Sequence, residues 1–147
     1  MARLLVVDDD SQIRALLRRV AERCGYEVDE ARDGIEALEL LQKNTYPVAL
    51  IDLMMPRFSG YELLESLREK QGRPRFIVVT AMADEYVARV APDMAEAIVR
   101  KPFDVAMLTS VIRAVGAMMD GESNEAETQR TDHDGDGDGD GGGAASV

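Results

Sequence analysis

The sequence predicts a doubly wound α/β domain built on a five-stranded parallel sheet. Short β-branched or apolar runs alternate with longer stretches whose apolar residues recur at helical spacing. Three of the runs, LLVV, VALI and FIVV, are apolar at almost every position, as in strands covered on both faces. Acids, a hydroxyl and a lysine directly follow the runs, at the end of such a sheet where ligands gather.

Taken in order, the strands are expected at Leu4–Val7, Tyr26–Ala31, Val48–Ile51, Phe76–Val79 and Ala97–Val99. The second is the most polar, which suits a position near an edge. The first helix carries Ile13, Leu16, Leu17, Val20, Ala21 and Cys24 on one face, with Arg14, Arg18, Arg19 and Glu22 elsewhere. The second opens with Asp33 and Glu36 at capping spacing and turns Leu38 and Leu41 inward. A third runs from Gly60 to about Glu69. A fourth begins near Asp84 and must stop or bend before Pro92. The last runs from Asp104 to about Met119, with Val105, Leu108, Ile112 and Val115 facing in.

The 147 residues suit one domain with a short extension: residues 1–119 form the domain and residues 120–147 a tail. The formal charge of −11 is divided as −3 and −8 between these parts. Neither offers the basic surface that a phosphate backbone requires, so direct nucleic-acid binding is not expected. The tail segment TDHDGDGDGDGGGAASV is acidic, Gly-rich and too polar to fold, and is expected to be disordered. Asp132, Asp134, Asp136 and Gly137 match part of a calcium loop, but Gly143 stands where a glutamate is needed, so only nonspecific cation attraction is expected. Cys24 lies in an apolar pattern and reads as a small hydrophobe. The opening residues are too short for a secretory signal and no run can span a membrane, so a cytoplasmic protein is the expectation.

The carboxyl ends of the strands present Asp8, Asp9 and Asp10 after the first, Asp52 after the third, Thr80 after the fourth and Lys101 after the fifth. Clustered carboxylates repel one another, and a hard divalent cation relieves this. Mg²⁺ takes oxygen ligands and retains waters, which leaves a place for a phosphoryl oxygen. Lys101 can neutralise further charge and Thr80 can donate a hydrogen bond. A carboxylate can then attack phosphorus by positioning and charge neutralisation alone. Each element has a plainer reading: a solvated acidic loop, Asp10 as a helix cap, a Lys-Pro turn. The functional reading rests on all of them falling at one end of successive strands.

These pieces, LLVVDDD, LIDLMMPRFSGYELLESLR, VVTA and KPF, resemble the receiver domain of two-component response regulators, of the single-domain chemotaxis-regulator kind, over residues 3 to about 118. The resemblance implies a flavodoxin-like (βα)5 fold with strand order 2-1-3-4-5. It implies Asp52 as phosphoacceptor, Asp9 as a direct Mg²⁺ ligand, Asp8 as a ligand mainly through water, and the backbone carbonyl of Met54 as the third protein ligand. Thr80 would bond the phosphoryl group, Ala81 would keep the site open, and Lys101 would pair with the acyl phosphate beside a cis bond to Pro102. Met54 and Met82 would flank the phosphoryl group. At the family's aromatic switch position this chain has Ile98, which cannot swap a hydroxyl between solvent and interior.

The resemblance also implies partners: a histidine kinase or a histidine phosphotransfer protein, and a downstream protein target. A monomer or a weak phosphorylation-dependent dimer is expected. Since residues 120–147 cannot form an output domain, a single-domain regulator acting by protein contact is expected, with no separate substrate turned over. Two other readings stand beside it. A small phosphohydrolase would use the D-x-D of Asp8 and Asp10, but Gln12 replaces the needed hydroxyl residue and there is no room for a cap domain. A receiver fold that only binds would not need phosphorylation, and Ile98 keeps that reading open.

Overall fold

A computed structural model describes residues 2–132, with side chains described for 2–118. Five parallel strands form one sheet: β1 (Arg3–Val7), β2 (Glu27–Ala31), β3 (Val48–Ile51), β4 (Arg75–Thr80) and β5 (Ala97–Arg100), in the order β2-β1-β3-β4-β5. The helices are α1 (Ser11–Arg23), α2 (Gly34–Lys43), α3 (Gly60–Ser66), α4 (Asp84–Val87) and α5 (Val105–Asp132). The fold is the expected flavodoxin-like one, and every strand lies within a residue or so of its expected place. The polar β2 is indeed an edge strand, and its charges are used. Glu30 accepts hydrogen bonds from Arg14 and Arg18 of α1 at 2.9 and 2.7 Å.

Alternation along the strands builds two apolar layers, one on each face of the sheet. Leu4, Val6, Leu50, Ile77 and Val79 face Leu17, Val20, Leu108 and Ile112. Leu5, Val7, Ile51, Phe76 and Val78 face Ala37, Leu63, Leu64 and Met94. Cys24 is half-buried against the first layer.

Several helices differ from expectation. Leu38 and Leu41 are only half-buried, and the wholly buried residue of α2's core face is Ala37. Val105 is exposed on the first turn of α5, and Phe103 packs on the sheet in its stead. α3 closes at Ser66 rather than Glu69, through a C-cap at Leu67. α4 is a single turn: no side chain caps its start at Ala83, and past Val87 the amides of Arg89 and Val90 bond three residues back rather than four. The chain then turns through Ala91 to bury Met94 completely.

The chain divides into two units at the Val115–Gly116 boundary. α5 extends to Asp132, beyond the expected end at Met119 and into the segment assigned to the tail. Residues 120–132 contain Glu, Ala, Gln and Arg and no proline, and a helix already nucleated gains one hydrogen bond per added residue. The rest of the expected disordered tail, with Asp134, Asp136, Gly137 and Gly143 of the partial calcium loop, lies outside the described residues.

Candidate functional site

The sheet's main-chain hydrogen bonding runs one residue past the strands, and this places the site. Val7 of β1 lies opposite Ile51 of β3, and the Asp52 amide donates to the Val7 carbonyl at 3.0 Å. Asp8 donates to Ala31 at 3.1 Å, and Lys101 to Thr80 at 2.9 Å. Asp8, Asp52 and Lys101 are thereby fixed by backbone geometry before any side chain acts.

The side chains converge. Lys101 Nζ donates to Asp8 Oδ2 and to Asp52 Oδ2, both at 2.9 Å. Asp8 is wholly buried and Asp52 nearly so. Their remaining oxygens accept from backbone: Asp8 Oδ1 from Asp10 at 2.9 Å, and Asp52 Oδ1 from Met54 at 3.1 Å. Asp9 is exposed beside them. Oxygens of Asp8, Asp9 and Asp52 all lie within 4.8 Å of one another. Thr80 is buried, and its Oγ1 accepts from the Met82 amide at 3.2 Å, which leaves the hydroxyl proton available to a ligand. The Lys101–Pro102 peptide is cis. A shallow concavity beside Asp9 is lined by Met54, Met55, Pro56 and Met82.

Electrostatics follow from burial and pairing. Burial pushes the Asp8 carboxyl above its ordinary value, and its bonds to Lys101 and the Asp10 amide only partly reverse this. Burial alone would lower Lys101, but its bonds to Asp8 and Asp52 hold it above its usual value, so it stays charged. Three carboxylates face one ammonium, leaving net negative charge on hard oxygen donors. That donor set fits Mg²⁺.

Two groups outside the cluster titrate oppositely to Asp8. Glu30 is held below its usual value by hydrogen bonding to Arg18 and then Arg14, against burial. Asp33, the N-cap of α2, is held low by the Glu36 amide and, less, by Arg57. In the unfolded chain both take up protons near pH ~4, above their folded values. Their stabilisation is therefore complete above about pH 4 and lost as pH falls through the folded values. Thermal melts of Glu30→Gln should fall less steeply on acidification below about pH 4 than wild-type melts, which calorimetry in a pH series would show.

The sequence reading joins Asp8, Asp9, Asp52, Thr80 and Lys101; the structure brings Asp8, Asp9, Asp52 and Lys101 into one cluster, with Thr80 held to Lys101 through the main chain. Met54 is adjacent, joined by its amide to Asp52. Asp10 stands apart as the N-cap of α1, accepting from Gln12 and Ile13 at 2.9 and 3.1 Å. Ala81 is exposed at the end of β4, and Ile98 is exposed on β5, away from the cluster's hydrogen bonds. Three supporting residues were not foreseen. Arg14 donates to the Asp8 carbonyl at 2.8 Å. Gly60 packs directly on the Asp52 backbone. Arg57, at φ +66°, pairs with buried Asp33. Only Gly60, following Ser59 at a helix start, carried a sequence signal.

The model of the response regulator receiver domain matches residues 4–113. The response regulator ArlR of Staphylococcus saprophyticus is 34% identical over 116 residues, 78% of this chain and 52% of ArlR. The response regulator MprA of a Mycobacterium species is 39% identical over 115 residues, 77% of this chain and 50% of MprA. The chain thus spans about half the length of the curated relatives it matches. The crystal structure of response regulator TrrA from Thermotoga maritima, a complex with Mg²⁺-BeF, superposes with a TM-score of 0.71 at 33% identity, covering 78% of this chain and 99% of TrrA. With the strand order and the clustered strand-end residues, these likenesses place the chain in the receiver-domain family of two-component response regulators, for which phosphoryl-aspartate and Mg²⁺ are family features.

Proposed function

We propose that Asp52 accepts a phosphoryl group from a histidine kinase or a histidine phosphotransfer protein, in a Mg²⁺-dependent reaction, and that the modified domain signals by contact with a downstream protein. The observation that carries this is the Lys101 ammonium bonded equally to Asp8 and Asp52 at the carboxyl end of the sheet. An oxygen of Asp52 attacks phosphorus as the bond from phosphorus to the donor nitrogen breaks. The donor imidazole leaves with the electron pair, and an acyl phosphate remains. Lys101 offsets the charge brought in, and the Thr80 hydroxyl donates a hydrogen bond to a phosphoryl oxygen. Asp8, Asp9, Asp52 and the Met54 carbonyl would hold the cation, which when bound supplies further charge neutralisation.

The other readings fare worse. A phosphohydrolase built on the D-x-D of Asp8 and Asp10 would need the second acid free for chemistry, whereas Asp10 is occupied as the cap of α1, accepting from Gln12 and Ile13. A module that only binds would not need the Lys101-bridged pair. Outward-facing Ile98 favours a readout through loop and helix shifts on the face of α4, β5 and α5 rather than through an aromatic side chain. A monomer or weak phosphorylation-dependent dimer, in the cytoplasm, suits this reading, with no direct contact to nucleic acid or membrane. No described helix is long and apolar enough to cross a membrane. Residues 1–119 would form the receiver and 120–147 an acidic appendage to it.

The test is incubation with acetyl phosphate or phosphoramidate followed by intact-mass measurement. One phosphoryl addition is expected with Mg²⁺ and none with a chelator. Absence of any addition with every donor would overturn the proposal.

A further inference from the structure

We propose that the Arg57–Asp33 ion pair is a strap that positions the β3–α3 loop, so that the amino end of α2 sets how tightly the carboxylate site takes a divalent cation. The inference rests on the reading of Asp8, Asp9, Asp52 and the Met54 carbonyl as the ligands of that cation.

The loop leaves β3 at Asp52 and returns at Gly60, where its neck is closed. The Gly60 amide donates to the Leu53 carbonyl at 3.1 Å. Beyond the neck, two consecutive loop residues meet two consecutive residues at the start of α2. Arg57 Nη2 donates to Asp33 Oδ2. Phe58 lies so close to Gly34 that a Cβ there would meet the Phe58 carbonyl oxygen at 2.4 Å and its ring at 2.7 Å. Asp33 is a firm anchor, being buried and committed through Oδ1 to the Glu36 amide at 2.9 Å.

Arg57 holds φ at +66°, a region that costs a residue with a Cβ and that glycine enters freely. The backbone here would be better served by glycine, so the arginine's contribution lies in its side chain. Between Arg57 and Met54 stands Pro56, whose ring stiffens the segment. Met54 is in turn tied by its amide to Asp52 Oδ1. A shift at Arg57 is thus passed along three residues to the carbonyl and carboxylate of the site. Arg57 and Asp33 act as positioning residues, since neither touches the phosphoryl group or its acceptor.

The experiment is a Mg²⁺ titration of thermal stability on the full chain, comparing wild type with Arg57→Gly, Arg57→Lys, Asp33→Asn and the Arg57→Gly/Asp33→Asn double variant. Arg57→Gly should raise the Mg²⁺ midpoint about 10-fold, the scale seen when groups that orient metal ligands are removed. Its melting without Mg²⁺ should not fall in step, because glycine relieves the strained φ. Arg57→Lys keeps the charge and should recover most of the affinity. Asp33→Asn keeps an oxygen for the Glu36 amide, should match Arg57→Gly, and should add nothing in the double variant. A wild-type midpoint in Arg57→Gly, or additive losses in the double variant, would sink the strap alone. Failure of wild type itself to respond to Mg²⁺ would instead sink the cation site, and the strap with it.

Discussion

Asp52→Asn is expected to abolish phosphoryl incorporation while leaving the domain folded. The asparagine amide has nearly the shape of the carboxylate and can still accept the Met54 hydrogen bond through Oδ1. It has no anionic oxygen, so nothing attacks phosphorus. Turned toward Lys101 its amide nitrogen would be a donor facing a donor, but Lys101 keeps Asp8 as a partner. Removing one of three clustered carboxylates also lowers the repulsion that the fold must hold together. Melting should therefore stay level or rise while intact mass shows no addition from acetyl phosphate with Mg²⁺. A variant that still gains one phosphoryl group would move the acceptor elsewhere.

Gly60→Ala should be the most damaging small substitution in the domain. A Cβ at Gly60 would lie 2.0 Å from the Asp52 carbonyl oxygen and 2.8 Å from Leu53 Cα. Both are backbone atoms of the segment that carries Asp52, so no flexible side chain can yield. Overpacking a core usually costs about 1–3 kcal/mol, and contact with backbone puts this case at about 3 kcal/mol or more. Alanine's better helix propensity returns only about 1 kcal/mol. A net loss of that size lowers the melting temperature of a small domain by roughly 10 °C or more. Gly72→Ala is the comparison. Gly72 sits at φ +80° with nothing within 4 Å of a Cβ, so it needs its conformation and not the space. Its cost should be about 1 kcal/mol. Calorimetry of both variants would separate the two demands, and phosphoryl incorporation should fall in Gly60→Ala but not in Gly72→Ala.

The strands and their terminal residues were legible because their signal is local. Runs such as Val48–Ile51 are apolar throughout because both faces are covered, and parallel pairing sends their carboxyl ends to one side. Asp8, Asp52, Thr80 and Lys101 could therefore be brought together without knowing any distance. What escaped notice depends on pairs far apart in the chain. Tyr46 is a lone aromatic before β3 in sequence, but it is buried and its hydroxyl donates to Asp29 at 2.6 Å. Met94 follows Pro92 in a segment without period, yet it is wholly buried in the second apolar layer. Arg57 looks like an ordinary surface charge, and Asp33 like a helix cap and nothing more, until the loop and helix meet. The extension of α5 to Asp132 was missed for the opposite reason. Its polar residues have no apolar face to reveal a helix, and only modest local propensity supports one.

The Lys101 bridge has a consequence for how the molecule comes into being. Its hydrogen bonds join residues 93 and 49 positions apart, so the cluster closes only when the first and fifth strands occupy the same sheet. Contacts of such long sequence separation form late and slowly, since a long loop must be closed before they repay its entropy. A chain still emerging from the ribosome, or one whose fifth strand has frayed, holds Asp52 without its ammonium partner. On the function proposed for Asp52, competence is thus tied to completion of the sheet, and incomplete copies would not be phosphorylated.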